Sequence, residues 1–152
     1  MSDDSLIGWK LASLNPDVAS VRYRAMLPIL ALEDRGFRAR IFSVASPKNL
    51  DGLNCLIIVK SFTPDDLYLV CEAVKRHIPV VIDICDNIFI DGYGRKGGIN
   101  SISPSIFFDQ MAKFASMIVA STEPLAEIVR RRAGFPVQTV VIPDAIGLGL
   151  LY

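Results

Sequence analysis

Short apolar runs alternate with segments of helical periodicity along the chain. Six runs are predicted to form strands, over residues 6–13, 37–44, 54–59, 80–84, 117–120 and 137–142. Their near-continuous apolar character is typical of strands that are covered on both faces. Because helix-length crossovers join them, we predict an α/β fold, a Rossmann-like open parallel sheet of about six strands with helices on both faces.

The first predicted helix covers residues 20–35 and ends before Gly36, a residue suited to a C-terminal cap. Pro28 conflicts with a regular helix, because proline lacks the N–H of one backbone hydrogen bond and its ring clashes with the preceding turn. Two interpretations stay open. Either the helix kinks at Pro28, or it begins near Arg24 and leaves Arg22 in the loop.

The strongest helix signal follows the third strand. Thr63 can cap this helix, Pro64 fits its first position, and the two aspartates that follow suit the positive end of the helix dipole. His77, the single histidine, lies at the basic end of the helix and is interpreted as a capping residue. The predicted inward stripe consists of Leu67, Val70, Cys71 and Val74.

Two more helices are predicted in the second half of the chain. One starts at Ser103-Pro104, and the other starts at Ser121–Pro124 and ends at Gly134. The first is expected to direct three large side chains inward, namely Phe107, Met111 and Phe114.

Composition narrows the class of protein. The length of 152 residues suits one domain, and the balance of 16 basic and 16 acidic residues argues against a nucleic-acid binder. No apolar run reaches the roughly 18–20 residues of a membrane span, and residues 1–5 lack the basic start of a signal peptide. Peripheral membrane association stays open.

Three cysteines without CxxC spacing favour a reducing compartment, so we expect a cytoplasmic protein with no metal site.

Polar side chains follow the fourth strand, where a parallel sheet places its binding crevice. Asp83 and Asp86 could form a metal-binding or acid/base pair, and the alternative is that Asp86-Asn87 only caps a turn. No Ser-His-Asp or Cys-His arrangement can be argued, so the sequence assigns no catalytic residue.

Two other segments carry candidate binding residues. Arg22 and Arg24, with Tyr23 between them, follow the first strand, and guanidinium groups suit phosphate or carboxylate recognition. The alternative is two exposed arginines on a helix turn. Residues 121–123 (Ser-Thr-Glu) offer backbone N–H groups for an anion or a sugar hydroxyl, or they act only as a helix cap.

A glycine-rich segment lies between the fourth strand and the next helix. Its spacing, Gly92-x-Gly94-x-x-Gly97, matches a dinucleotide fingerprint, but that motif belongs after the first strand and directly before a helix. The other interpretation is a loop beside the site, and we expect residues 91–101 to be the least ordered internal segment.

Four segments in order carry a resemblance to a known family. They are Ser20-Val-Arg-Tyr-Arg24 with Pro28, Leu32 and Gly36-Phe37; Val80-Val-Ile-Asp83 through Asp86-Asn87; Met117-Ile-Val-Ala-Ser-Thr122 with Leu125 and Ala126; and Val141-Ile-Pro143 with Ile146. Together they resemble the N-terminal domain of GT-B glycosyltransferases, in the large retaining group that includes many bacterial glycan-building enzymes. The resemblance covers almost the whole chain and implies half of a GT-B fold, with residues 1–146 as the domain and 147–152 as a linker or tail.

The resemblance implies that this half binds the acceptor, which is a glycan, a lipid-linked molecule or a protein. Arg22, Tyr23 and Arg24 would hold a charged acceptor group, while Asp86 and Asn87 would bond acceptor hydroxyls. A nucleotide sugar would serve as donor and co-substrate, with no cofactor and no metal.

The same resemblance implies that Ser121, Thr122 and Glu123 contact the donor phosphate or sugar. The second GT-B domain, which in this family carries most donor contacts and two spaced glutamates, is not in this sequence. We therefore expect the chain to be inactive in sugar transfer without such a domain.

This sequence also departs from the family pattern. Asp144 stands where the family usually has Asn, Gly147 stands where it has Asp, and residues 15–17 (Asn-Pro-Asp) replace its glycine-rich first loop. The alternative function is a stand-alone flavodoxin-like regulatory or protein-binding module. A third, a fragment of a nucleotide-binding oxidoreductase, rests only on the glycine spacing.

Overall fold

The computed structural model describes residues 5–90, 93 and 102–144. Within these residues the chain forms a six-stranded, all-parallel open sheet with the strand order β2-β1-β3-β4-β5-β6, which confirms the predicted fold class. The strands are β1 (Leu6–Leu11), β2 (Arg38–Phe42), β3 (Cys55–Val59), β4 (Val80–Ile84), β5 (Met117–Ala120) and β6 (Thr139–Val141). The glycine motif at 92–97, the rest of segment 91–101 apart from Tyr93, and the predicted tail 147–152 lie outside the described residues.

The described helices pack on both faces of the sheet. They are α1 (Ala19–Val21), a π-helical turn (Arg22–Met26), α2 (Leu27–Glu33), a 3₁₀ turn (Pro47–Leu50), α3 (Pro64–Lys75), α4 (Pro104–Ala112) and α5 (Glu123–Ala133). Helices α3, α4 and α5 share one apolar core with alternate residues of the central strands. The continuous segment from α1 to α2 packs on the opposite face, around Trp9.

The π-helical turn resolves the conflict at Pro28. The N–H of Leu27 donates to the carbonyl of Arg22, an i→i−5 bond that widens the helix immediately before the proline. Widening at this point accommodates a ring that would clash in a regular α-helix. The helix therefore begins at Ala19 and passes through Pro28, and the π turn directs Arg24 and Ala25 toward the sheet.

Helix α3 begins as predicted but is rotated. Thr63 caps it, and the side chain of Asp66 accepts a hydrogen bond from the Thr63 N–H in a reciprocal capping box. Within the predicted stripe Val70 is buried and Leu67 packs partly buried against the core, but Val74 is exposed. The buried positions of the helix are Asp66, Leu69, Val70 and Ala73. These residues have the same helical spacing as the stripe, and the set includes a charged residue that an apolar pattern cannot identify.

Helix α4 starts after Ser103 as predicted, yet it buries a different aromatic residue. Phe108 is completely buried and makes edge-to-face contacts with Phe62 and Phe89. Met111 is buried as expected, whereas Phe114 is 44% exposed. The helix ends at Ala112, so helical spacing no longer determines the direction of Phe114.

His77 caps helix α3 through its backbone, which confirms the interpretation as a capping residue. Its φ of 57° is left-handed. The His77 N–H donates to the carbonyl of Val74, and the Ile78 N–H donates to that of Ala73. This pair of bonds is the Schellman arrangement, in which glycine normally occupies the left-handed position. Gly134 has that role at the end of α5, with a φ of 63°.

The strand order fixes where a binding crevice forms. β1 lies between β2 and β3, so the chain leaves β1 toward one edge of the sheet and returns at β3 on the other side. At such a switch point the loops diverge and leave a crevice at the carboxyl ends of the strands. No helix among the described residues is long and apolar enough to cross a membrane.

Candidate functional site

All the strands are parallel, so their carboxyl ends meet at one edge of the sheet. The loops that follow β1, β3, β4, β5 and β6 converge there. The candidate site is this carboxyl edge, which has three parts: a buried ion pair, an apolar groove and a half-exposed polar cluster.

The buried ion pair joins Arg24 to Asp83. The Arg24 Nε lies 2.9 Å from Asp83 Oδ1, and its Nη2 lies 2.9 Å from Asp83 Oδ2. Its Nη1 donates to the carbonyl of Ile142 at 2.6 Å and to Asp144 Oδ1 at 3.2 Å. Arg24, only 4% exposed, therefore holds the first helix, the end of β4 and the segment after β6 together.

In this ion pair, burial and pairing have opposite effects on the pKa of each group. Burial raises the pKa of Asp83 to about 6, although the hydrogen bonds and charge of Arg24 act to lower it. Burial also acts to lower the pKa of Arg24, but its contacts with Asp83 and Asp144 outweigh that effect and raise it. Arg24 is thus charged at neutral pH, whereas the pKa of Asp83 lies in the mildly acidic range.

An apolar groove of about 320 Å³ lies beside this pair, between the first helix and the sheet. Tyr23 lines it, together with Leu27 and Pro28 of the helix and Val81 and Val119 of the sheet. Val81 pairs with Ile57, and Asp83 pairs with Val119, so these side chains project from the same sheet face as the ion pair.

The polar cluster contains Lys60, Asp86 and Tyr93. The Lys60 ammonium forms an ion pair with the Asp86 carboxylate, which also accepts a hydrogen bond of 2.8 Å from the Tyr93 hydroxyl. The side chains of Lys60 and Asp86 are 34% and 38% exposed. A ligand at the carboxyl edge can therefore reach both charges.

Both charges of the cluster are maintained at neutral pH. Partial burial acts to raise the pKa of Asp86, but hydrogen bonds from Lys60 and Tyr93 outweigh it, and the net pKa is lowered. Partial burial likewise acts to lower the pKa of Lys60, and the Asp86 contact reverses this. Burial raises the pKa of the adjacent Cys85 to about 11, so its thiol stays protonated and is a poor nucleophile.

A buried network holds the loop that carries Lys60, and no pattern in the sequence identified this network as a unit. Lys10 Nζ lies 2.6 Å from Asp66 Oδ1 and donates to Ser61 Oγ at 2.8 Å. Ser61 and Thr63 both donate hydroxyl hydrogen bonds of 2.8 Å to Asp66 Oδ2. Lys10 is the one charged residue within the first apolar run, and that exception was the only available clue.

The structure places the other predicted residues at the same edge with local partners. Arg22 donates to the carbonyl of Pro16 at 2.6 Å, and its guanidinium lies 5.5 Å from the ring centroid of Tyr23. Asn87 accepts from the N–H of Phe89 in a turn, consistent with the turn interpretation.

Residues 121–123 are similarly engaged. Ser121 donates to the carbonyl of Cys85 at 3.2 Å, and Thr122 caps α5 by accepting from the Leu125 N–H. Glu123 pairs with Arg130 on the same helix. These contacts bear out the capping interpretation for Thr122, and the ligand roles of all three residues remain predictions.

Neither metal chemistry nor sequence similarity identifies the site. Within the described ranges, no three His, Cys, Asp or Glu side chains come together as a metal ion would require. The chain matches no model of a known protein family and no curated protein.

Proposed function

We propose that this chain is the acceptor-binding half of a GT-B glycosyltransferase, which transfers a sugar from a nucleotide-sugar donor to a hydroxyl-bearing acceptor. The observation that carries the proposal is the half-exposed Lys60–Asp86–Tyr93 cluster at the carboxyl edge of a parallel sheet. A carboxylate accepts strong hydrogen bonds from hydroxyl groups, and ammonium and phenol groups offer donors to the same ligand.

The side chains at the carboxyl edge of the sheet indicate the role of each residue in acceptor binding. Asp86 has hydrogen-bonding capacity for acceptor hydroxyls, with Asn87 next to it. Tyr23 offers an aromatic wall for the apolar face of an acceptor, and Arg22 lies beside it. The proposal needs a second domain for the donor, because no catalytic residue is assigned on this half.

One observation favours the alternative, a flavodoxin-like regulatory or protein-binding module. The strand order 2-1-3-4-5, extended here by β6, is the flavodoxin-like order. A phospho-receiver within this class is disfavoured, because no acidic pair follows β1. A regulatory module would bind a protein partner and would show no saturable carbohydrate binding.

Carbohydrate binding by the chain tests the proposal. A panel of oligosaccharides would be titrated while backbone amide shifts are recorded by NMR, and saturable shifts are expected at residues 86–89 and 22–24. Asp86→Asn should weaken binding about ten- to hundredfold, because a charge-assisted hydrogen bond contributes roughly 1.5–3 kcal/mol. Glu127→Gln on the exposed surface of α5 is the matched control.

The proposal also predicts what the chain does not do. Incubated with nucleotide sugars and a saccharide that binds, the chain alone should transfer no sugar. Turnover by the chain would refute its assignment as half of an enzyme, and absence of saturable binding across the panel would refute the acceptor site.

A further inference from the structure

The crevice at the switch point has a polar wall that shares Lys60 with the proposed acceptor site. Between the carboxyl ends of β1 and β3 lies a cavity of about 210 Å³ with Leu11 and Val59 in its lining. Its polar lining comes from Ser13, Ser20 and Lys60. Three residues with polar side chains, one of them a lysine, therefore line a single small cavity.

The backbone of Lys60 is held in an unfavourable conformation. Its φ of 45° is left-handed, a region that glycine enters freely and a residue with a side chain enters at a cost. The surrounding contacts maintain it, because the Lys60 N–H donates to the carbonyl of Asp83 at 3.0 Å and the adjacent Ser61 is bonded to Lys10 and Asp66. Glycine would satisfy this backbone without strain, so the ammonium group is what a lysine adds here.

We propose that this crevice binds a phosphate group, with Lys60 as the cationic contact and Ser13 and Ser20 as hydroxyl donors. An ammonium is a compact charge with three donors, a common phosphate contact in proteins. The Ser13 Oγ accepts from the Asn15 N–H at 3.1 Å, which leaves its own hydrogen to donate. The cavity exceeds the size of one phosphate, so the ligand is a larger molecule that carries a phosphate group.

This inference deepens the proposed function, because the acceptor would then carry a phosphate beside the hydroxyls that meet Asp86. The described carboxylate that faces Lys60 is Asp86, and it competes with the ligand for the ammonium. Removal of the Asp86 charge should strengthen phosphate binding while it weakens carbohydrate binding. The two proposals consequently predict opposite effects of one substitution.

The test is a titration of the 152-residue chain with inorganic phosphate at constant ionic strength, followed by amide shifts. Saturable shifts are expected at Ser13, Ser20 and Lys60. Lys60→Met should lower the affinity about tenfold or more, whereas Lys113→Met, an exposed lysine at the end of α4, should leave it unchanged. Asp86→Asn should raise the affinity about two- to fivefold, as expected for loss of a surface ion pair.

The variant Lys60→Gly distinguishes a loss of phosphate binding from a loss of folding stability. This variant relieves the left-handed strain, so it should unfold at the same temperature as the parent or a higher one, yet bind no phosphate. Equal phosphate affinity in the parent and in Lys60→Gly would overturn the proposal, as would shifts that rise linearly without saturation.

Two further ligands distinguish a soluble phosphate compound from a lipid headgroup as the source of the phosphate. A hexose monophosphate and vesicles that contain phosphatidic acid would each compete with inorganic phosphate for the parent chain. Competition by the hexose monophosphate alone identifies a soluble ligand, and competition by the vesicles alone identifies a lipid headgroup. Competition by neither, despite binding of inorganic phosphate, would overturn the assignment to a phosphate-bearing molecule.

Discussion

Arg24 and Asp83 are 59 positions apart in sequence and form a buried, two-pronged ion pair at the carboxyl edge of the sheet. The π-helical turn presents the guanidinium, and the end of β4 presents the carboxylate. Because Arg24 also bonds Ile142 and Asp144, this contact fixes the segment that leaves the sheet after β6. An acceptor anion would have to displace Asp144 to bind Arg24 Nη1. Arg22 is therefore the more accessible of the two arginines.

Asp83 should titrate in the mildly acidic range. We expect its carboxyl carbon to show a midpoint of about pH 6 by NMR, because burial raises its pKa above the ordinary value. Arg24→Met should move the midpoint higher, since the guanidinium acts to lower this pKa. A midpoint near that of an exposed aspartate would contradict the prediction.

The same pKa determines how stability depends on pH. The folded protein binds this proton more tightly than the unfolded chain, so the contribution of Asp83 is fully present below about pH 4 and is lost as the pH rises through about 6. The difference in unfolding free energy between parent and Asp83→Asn should fall by at most about 3 kcal/mol across this window. Urea denaturation at several pH values measures it, and a constant difference would contradict it.

Lys10→Met should strongly destabilise the fold. The substitution leaves the carboxylate of Asp66, which is 0% exposed, without its ion pair. Breaking one partner of a buried pair costs about 3–5 kcal/mol. The double substitution Lys10→Met/Asp66→Asn should recover part of that loss. Urea denaturation of the parent, the two single variants and the double variant gives a double-mutant cycle. Additive effects in the cycle would show that the two residues do not interact.

His77→Gly should stabilise the protein. The substitution removes left-handed strain at an exposed position, and the expected gain is about 0.5–1 kcal/mol. His77→Ala is the control and should give no gain, because alanine keeps the strain. Thermal unfolding of the three proteins measures the effect. Equal stabilisation by alanine would mean that the imidazole, not the backbone, is the source of the cost.

Arg22→Ala should weaken binding of a charged saccharide that binds the chain, by about ten- to hundredfold, through loss of a charge-assisted contact. Calorimetric titration measures the affinity. Arg131→Ala, with a side chain 82% exposed on α5, serves as the control. An unchanged affinity in Arg22→Ala would remove this residue from the site without affecting the fold.

Local signals in the sequence determined the elements of this fold. The strands at 80–84 and 117–120 match their predicted bounds, and Thr63, Ser103 and Thr122 cap helices where their side chains suggested. Such signals are sufficient because apolar runs and helix caps involve neighbouring residues, whose interactions do not depend on the rest of the chain.

The contacts that shape the candidate site depended on tertiary structure. Register between parallel strands places Asp83 beside Val119, and packing of the first helix on that face of the sheet brings Arg24 to Asp83. The rotation of helix α3 buries Asp66 against Lys10. A core predicted from apolar patterns contains no charged residues, because burial of an unpaired charge is costly. The residue that pairs with a buried charge is distant in sequence, so the pattern does not reveal the pair. The sequence by itself therefore determined the parallel sheet, the order of the elements along the chain and the edge that carries the candidate site. Only the folded chain decided which charges meet there, since each pairing stabilises both partners only after the sheet and its helices have assembled.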